Sequence, residues 1–69
     1  MSIGSTIKKL RQEHDMTQEQ LADLLMLTPA AISGWECDRN SPDVSQIPVL
    51  SRIFGVSADV LLGIDLSVQ

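Results

Sequence analysis

Residues 17–43 read TQEQLADLLMLTPAAISGWECDRNSPD, a stretch that predicts two short helices separated by a three-residue turn. Thr17 and Gln20 have capping-box spacing, in which the hydroxyl accepts from a backbone amide and the glutamine side chain reaches back to the cap. Thr28 and Pro29 form a strong helix start, because threonine caps well and proline loses no hydrogen bond at the first helical position. One helix is therefore expected after each threonine, followed by a loop over residues 38–43.

The apolar positions of the two helices predict which sides face the core. On the first helix the inward residues are expected to be Leu21, Ala22, Leu24 and Leu25. On the second helix the inward residues are Ala31, Ile32 and Trp35, which leaves on the outer side Pro29, Ala30, Ser33, Gly34 and Cys37. A small residue on one helix and a β-branched residue on the other allow the two to cross closely. This combination is typical of a helix-turn-helix.

Further helices are predicted on both sides of this pair. One apolar stripe along residues 3–14 consists of Ile3, Ile7, Leu10 and His14. A fourth helix is expected from near Ser45, with Pro48 in its first turn and Gly55 at its end, and its inward residues are Ile47, Leu50 and Phe54. A fifth helix lies between Ser57 and Gly63. The fold class is therefore an all-α domain of five helices over residues 1–63, with a short tail over residues 64–69.

Length and composition exclude several kinds of protein. A chain of 69 residues predicts one small domain, or a fragment of a longer protein. So short a core removes only about 60% of the unfolded surface from water, so a second subunit would add needed stability. The single Cys37 cannot form an internal disulfide, and one histidine provides no zinc spacing. We expect a cytoplasmic protein without metal or cofactor. An export signal would need an apolar run directly after Lys8, Lys9 and Arg11, where polar and charged residues follow instead. The longest stretch without a charge, 24–35, is too short to span a membrane.

An enzyme is not expected. The sequence has no recognisable Cys-His, Ser-His or paired-carboxylate arrangement, and so small a chain has little volume for a pocket. No small-molecule ligand is indicated either.

Five motifs extend the pattern over most of the chain: LR at 10–11, TQEQLA at 17–22, ISGWE at 32–36, Pro42 six residues after Glu36, and VSADVLLG at 56–63. Together they resemble the DNA-binding domains of the phage repressor and Cro class, also called the xenobiotic-response-element type. The resemblance covers about residues 3–63. It implies a lambda-repressor-like fold and a transcriptional regulator, a repressor by preference, that binds a pseudopalindromic DNA operator as a homodimer with its third helix in the major groove.

The resemblance also implies which residues contact DNA. Phosphate contacts would come from Thr17 and Gln18, and backbone contacts after the third helix from Arg39 and Asn40. The part of the third helix in the groove would be Thr28, Pro29, Ala30, Ser33 and Gly34. Only two of these carry side-chain donors, so we expect modest base readout, helped by DNA shape and by close backbone approach at Gly34. There are simpler alternatives to these DNA contacts. Thr17 would then only cap its helix, Arg39 and Asn40 would be ordinary loop residues, and the outer face of the third helix would be solvated.

Other positions are interpreted as structural. Arg11 and Glu36 look like the class's ion pair between the first and third helices, and Trp35 is expected in the core. The class usually has glycine in the turn, where this chain has Met26, and often after the third helix, where it has Asp38. A left-handed backbone at Met26 would cost about 1 kcal/mol or more, whereas aspartate tolerates it better.

Charge supports a second interpretation. Five Lys and Arg against nine Asp and Glu give a net charge of −4, which predicts weak non-specific DNA binding. The alternative is a protein-interaction module on the same fold, such as an antirepressor or an antitoxin-like partner. Late apolar residues are candidates for a dimer interface, or else for ordinary core and tail residues: Val60, Leu62, Ile64, Leu66 and Val68.

Overall fold

The computed structural model describes residues 2–62, and all regular elements in this range are helical. They are α1 (Ile3–Glu13), α2 (Gln18–Leu25), α3 (Pro29–Glu36), a 3-10 turn (Val44–Gln46), α4 (Ile47–Phe54) and α5 (Ala58–Leu62). The predicted all-α class with five helices is confirmed. Gly63 and the tail at 64–69 lie outside the described residues.

The caps of α2 and α3 form as the sequence predicts. The Thr17 hydroxyl accepts from the Gln20 amide at 3.0 Å, and the Thr17 amide donates to the Gln20 side chain at 2.9 Å. The Thr28 hydroxyl accepts from the Ala31 amide at 3.3 Å. Both helices therefore begin at residues fixed by their own local hydrogen bonds.

α4 begins at Ile47, two residues after its predicted start near Ser45. The intervening residues form the 3-10 turn, because the Asp43 carboxylate accepts from both the amide and the hydroxyl of Ser45. The same two bonds lower the pKa of Asp43 below its ordinary value. Gly55 ends α4 with a left-handed backbone (φ 65°), as predicted.

Each of the five helices contributes one large side chain with no exposed surface to a single core, and these are Ile7, Leu21, Ile32, Leu50 and Leu61. Trp35 is 5% exposed, which confirms its predicted place in the core. The expectation for Leu24 is wrong, since this side chain is 56% exposed. Helix residues advance by about 100°, so Leu24 lies about 60° beyond the arc that the other three inward residues of α2 occupy.

α1 and α3 cross in unusually close contact at Gly4. A Cβ atom added to Gly4 would lie 1.8 Å from the carbonyl oxygen of Trp35, so the two backbones meet without an intervening side chain. Nothing in the sequence around Gly4 predicts this contact. The crossing fixes α3 against α1 and so determines which side of α3 faces outwards.

Candidate nucleic-acid interface

The residues predicted to meet DNA lie at the starts of α2 and α3 and in the loop after α3. Thr17 caps α2 and is exposed, and Gln18 beside it is half-buried. At the start of α3 the exposed residues are Thr28, Pro29 and Ala30. Ser33 is half-buried, while Arg39 and Asn40 are exposed. The structure thus leaves most of the predicted set accessible.

Both helix starts present backbone donors. The backbone amides of Gln18 and Glu19 in α2 have no acceptor among residues 2–62. The backbone amide of Ala30 in α3 also has none there. The first amides of a helix have no partner within it, and the helix dipole adds positive potential at that end. Two such ends are suited to contacting the oxygen atoms of a phosphate backbone.

The turn between α2 and α3 is held in the left-handed conformation at Met26, with φ 59° and ψ 39°. The Leu27 amide donates to the Ala22 carbonyl at 2.9 Å, which closes the turn and directs the chain into α3. Met26 is 91% exposed, so no packing compensates for its backbone conformation. The second predicted left-handed position, Asp38, has φ 60°. Both positions at which the class usually has glycine therefore have a left-handed backbone in this chain.

Arg11 and Glu36 form the ion pair that the resemblance implied. Arg11 Nε lies 2.7 Å from Glu36 Oε2, and Arg11 Nη2 lies 3.1 Å from Oε1. The two side chains are only 11% and 3% exposed. Arg11 also donates to the Met16 carbonyl at 2.7 Å, so it fastens the segment between α1 and α2 as well.

The charge state of Glu36 is controlled by these neighbours. Burial on its own would raise the pKa of Glu36, but the hydrogen bonds from Arg11 and Gln18 outweigh it, helped by the charges of Arg11 and Lys8. The net effect holds the pKa below the ordinary value of 4.5. Glu36 is therefore an anion at neutral pH.

Gln18 makes a contact that the sequence analysis did not find. Its side-chain nitrogen Nε2 donates to Glu36 Oε1 at 3.0 Å, which connects the first residue of α2 with the last residue of α3. The two residues are 18 positions apart, and only the three-dimensional arrangement of the helices brings them together.

Gly34 does not lie on an open outer face as predicted. It is buried, and a Cβ atom there would lie 2.7 Å from Asn40 Nδ2. The amides of Arg39 and Asn40 both donate to the Gly34 carbonyl, at 2.9 and 3.3 Å, which folds the loop back over α3. Asn40 therefore covers the part of α3 where close backbone approach was expected.

Residues 7–61 match the sequence profile of the family described as Helix-turn-helix. This chain belongs to the helix-turn-helix family. The match spans α2, α3 and most of the remaining helices, so it confirms the resemblance drawn from the motifs.

Solved and curated relatives of this helix-turn-helix protein agree with that assignment. The crystal structure of the P22 c2 repressor protein in complex with a synthetic operator aligns with a TM-score of 0.85 and 28% identity, covering 94% of this chain and 98% of that one. The lambda-repressor-like fold is thereby confirmed. The HTH-type transcriptional regulator ImmR of Bacillus subtilis is 37% identical over 94% of this chain. The HTH-type transcriptional activator BcrR of Enterococcus faecalis is 36% identical over 90%.

The helix-turn-helix chain spans only part of these curated relatives, 51% of the length of ImmR and 30% of the length of BcrR. Both are named as transcriptional regulators, the class that the sequence analysis preferred to an enzyme. Within residues 2–62, no helix has the length and apolar character needed to cross a bilayer.

In α5 of this helix-turn-helix protein, two of the candidate dimer residues are the immediate sequence neighbours of a core residue. Val60 and Leu62 are 48% and 50% exposed, while Leu61 between them is fully buried. The remaining candidates, Ile64, Leu66 and Val68, lie outside the described residues. Val60 and Leu62 lie about 100° to either side of Leu61, so α5 presents exposed apolar surface on both flanks of its buried side.

Proposed function

We propose that this protein is a sequence-specific DNA-binding regulator that acts as a repressor and binds a pseudopalindromic operator as a homodimer. The observation that carries the proposal is the alignment, at a TM-score of 0.85, with the P22 c2 repressor in complex with an operator. The same alignment supports insertion of α3 into the major groove, with half-sites about one helical turn apart.

The individual contacts are assigned from position and chemistry. Thr17 and Gln18 would bind phosphate at the start of α2, where backbone amides also lack acceptors among residues 2–62. Thr28 and Ser33 would donate to base edges or phosphates, and Ala30 could contact a thymine methyl. Since α3 has no exposed Arg, Asn or Gln that could bind a base through two hydrogen bonds, DNA shape would supply part of the sequence preference.

Repression is favoured over activation by the structural match. The solved structure that aligns with 94% of this chain is that of a repressor in complex with an operator. A domain that occupies an operator can block access of other proteins to the DNA.

The limited positive charge predicts how the affinity depends on salt. Arg11 is committed to Glu36, which leaves Lys8, Lys9, Arg39 and Arg52 to meet phosphates in each subunit. Each neutralised phosphate steepens the fall of affinity with salt, so the dependence should be moderate and non-specific binding weak.

The test is a fluorescence-anisotropy titration of the chain against the DNA upstream of its own gene and against a scrambled duplex, at low and physiological salt. We expect the upstream DNA to bind more tightly, with an affinity that falls as salt rises. Equal affinity for both duplexes, or no binding at low salt, would contradict the proposal.

The contact face is tested by Ser33→Arg, with Gln12→Arg on the exposed side of α1 as a control of equal charge. An arginine on α3 should change which sequences are preferred, because it can bind guanine through two hydrogen bonds. The control should change affinity for all sequences alike. An unchanged preference in Ser33→Arg would refute the proposed orientation of α3.

Two observations favour a second candidate function, a protein-interaction module on the same fold. The exposed start of α3 offers few donors, and the chain carries a net charge of −4, both of which suit a protein partner better than a phosphate backbone. Failure of DNA binding in the titration would favour this candidate.

A further inference from the structure

One carboxylate joins three helices of this protein. Glu36 at the end of α3 accepts two hydrogen bonds from Arg11 on α1 and one from Gln18 on α2. We call these three residues the Glu36 junction. The Glu36 side chain is only 3% exposed, less than the 11% of the Arg11 side chain.

The junction fixes the orientation of the Gln18 amide. A glutamine side chain carries two N–H donors on one nitrogen, held in the plane of the amide. Because one N–H donates to Glu36 Oε1 at 3.0 Å, the amide plane is set and the second N–H has a defined direction. No other side-chain hydrogen bond of Gln18 is present among residues 2–62.

The second N–H lies at the same helix end as two other available donors. Gln18 is the first residue of α2, and the backbone amides of Gln18 and Glu19 have no acceptor in the described part of the chain. A phosphate at this end could accept from side chain and backbone together. The positive charge of Arg11 compensates that of Glu36, so the carboxylate beneath this end does not repel the phosphate.

We infer that Glu36 is a positioning residue for DNA binding, whose carboxylate holds the Gln18 amide so that its second N–H is directed to an operator phosphate. This inference rests on the proposed function. Since Glu36 ends α3, the same hydrogen bond fixes the phosphate contact relative to the helix that enters the groove. Holding the side chain in advance also reduces the entropy lost when DNA binds.

A different result is expected if Glu36 only stabilises the fold. In that case its loss would lower the stability of the fold, and Gln18 would contribute the same binding energy with or without it. A positioning role instead requires that the contribution of Gln18 depend on Glu36. A double-mutant cycle separates the two, because it measures the dependence and not the sum.

The cycle compares Gln18→Ala in the wild-type chain and in the variant Arg11→Met/Glu36→Met. Replacing both charged partners leaves no unpaired buried charge, so the fold should be retained. Affinity for the upstream DNA is measured at one salt concentration, with circular dichroism confirming that each variant is folded. We expect Gln18→Ala to weaken binding about tenfold in the wild type, as for loss of a hydrogen bond to a charged group. In the double variant the loss should be less than about twofold.

A conservative variant provides the rescue. In Glu36→Gln the new side-chain carbonyl can still accept from Gln18, so Gln18→Ala should again weaken binding several-fold. An equal effect of Gln18→Ala in wild type and double variant would overturn the inference, and so would no effect in the wild type. A wild-type chain that does not distinguish upstream from scrambled DNA would instead refute the proposed function.

If the double variant does not fold, NMR of the wild-type chain tests the inference instead. The two amide protons of the Gln18 side chain have separate resonances. Adding upstream DNA should shift the proton that does not face Glu36. A complex in which neither resonance moves would overturn the inference.

Discussion

Met26 adopts a left-handed backbone that its side chain does nothing to support. The conformation costs about 1 kcal/mol for a residue with a Cβ atom, and at 91% exposure Met26 gains little from packing. We expect Met26→Gly to raise the free energy of unfolding by about 1 kcal/mol, measured by urea denaturation. Asp38→Gly is the matched control and should gain less, because aspartate tolerates this conformation better. A Met26→Gly chain no more stable than wild type would contradict the assignment of strain to the turn.

Glu36 should make the fold sensitive to acid. Its pKa in the folded protein is lowered below 4.5 by Arg11 and Gln18 acting against burial. The unfolded chain therefore binds the proton more readily. The stability contributed by Glu36 is complete above its ordinary pKa and is lost as the pH falls through its lower folded value.

The measurement is the free energy of unfolding between pH 7 and about pH 3 for wild type and Glu36→Gln. The variant should lose less stability on acidification. Asp43 also has a lowered pKa, so both chains are compared in an Asp43→Asn background. Parallel curves for the two chains would show that Glu36 is not responsible.

At the residue scale, sequence identifies groups whose role is set by near neighbours. Thr17, Thr28 and Asp38 were assigned correctly because caps and left-handed positions depend on a few adjacent residues. The bond between Gln18 and Glu36 and the cover of Asn40 over Gly34 depend on how helices and loops pack. A single sequence contains no record of that packing.

The crossing of α1 and α3 depends on Gly4. A methyl group there would overlap the Trp35 carbonyl, which belongs to the backbone of α3 and cannot rotate away. We expect Gly4→Ala to lower the free energy of unfolding by at least about 2 kcal/mol, because the helices must move apart. Lys9→Ala, on the exposed side of the same helix, should change stability by less than about 0.5 kcal/mol. Thermal unfolding of both variants provides the comparison, and near-wild-type stability of Gly4→Ala would contradict the close crossing.

At the scale of elements, the number and order of helices followed from apolar spacing and caps. The start of α4 differed because the Asp43–Ser45 hydrogen bonds favour a 3-10 turn that the apolar spacing does not distinguish from an α-helix. The glycine at the α1–α3 crossing was missed for a related reason. Glycine in a helix signals close contact only when the neighbouring element is known.

Self-association of the whole molecule is predicted to use α5. Val60→Lys and Leu62→Lys each place a charge on an exposed apolar flank of that helix, and each should weaken a homodimer at least tenfold by destabilising the buried interface. Leu24→Lys on α2 is the control, since Leu24 is exposed to a similar extent, 56% against 48% and 50%. Sedimentation velocity over a range of concentrations measures the effect. A wild-type chain that remains monomeric would refute the proposal, and so would α5 variants that associate as tightly as the control.

For the molecule as a whole, sequence motifs identified the fold and class, and net charge predicted weak non-specific DNA binding. The preferred operator does not follow from the sequence, because the exposed side chains of α3 include no residue with a one-to-one preference for a base.

The left-handed residues have a consequence for how long the protein survives in a cell. Among residues 2–62, four of the helices are followed by a residue with positive φ, and only after α4 is that residue glycine. The other three are Asp15, Met26 and Asp38. A cost of about 1 kcal/mol at Met26 alone raises the unfolded population about fivefold. Proteases degrade the unfolded chain, so the steady-state amount of protein falls with each such cost. The turn that directs α3 would thus also shorten the lifetime of the regulator and allow its level to follow its synthesis closely.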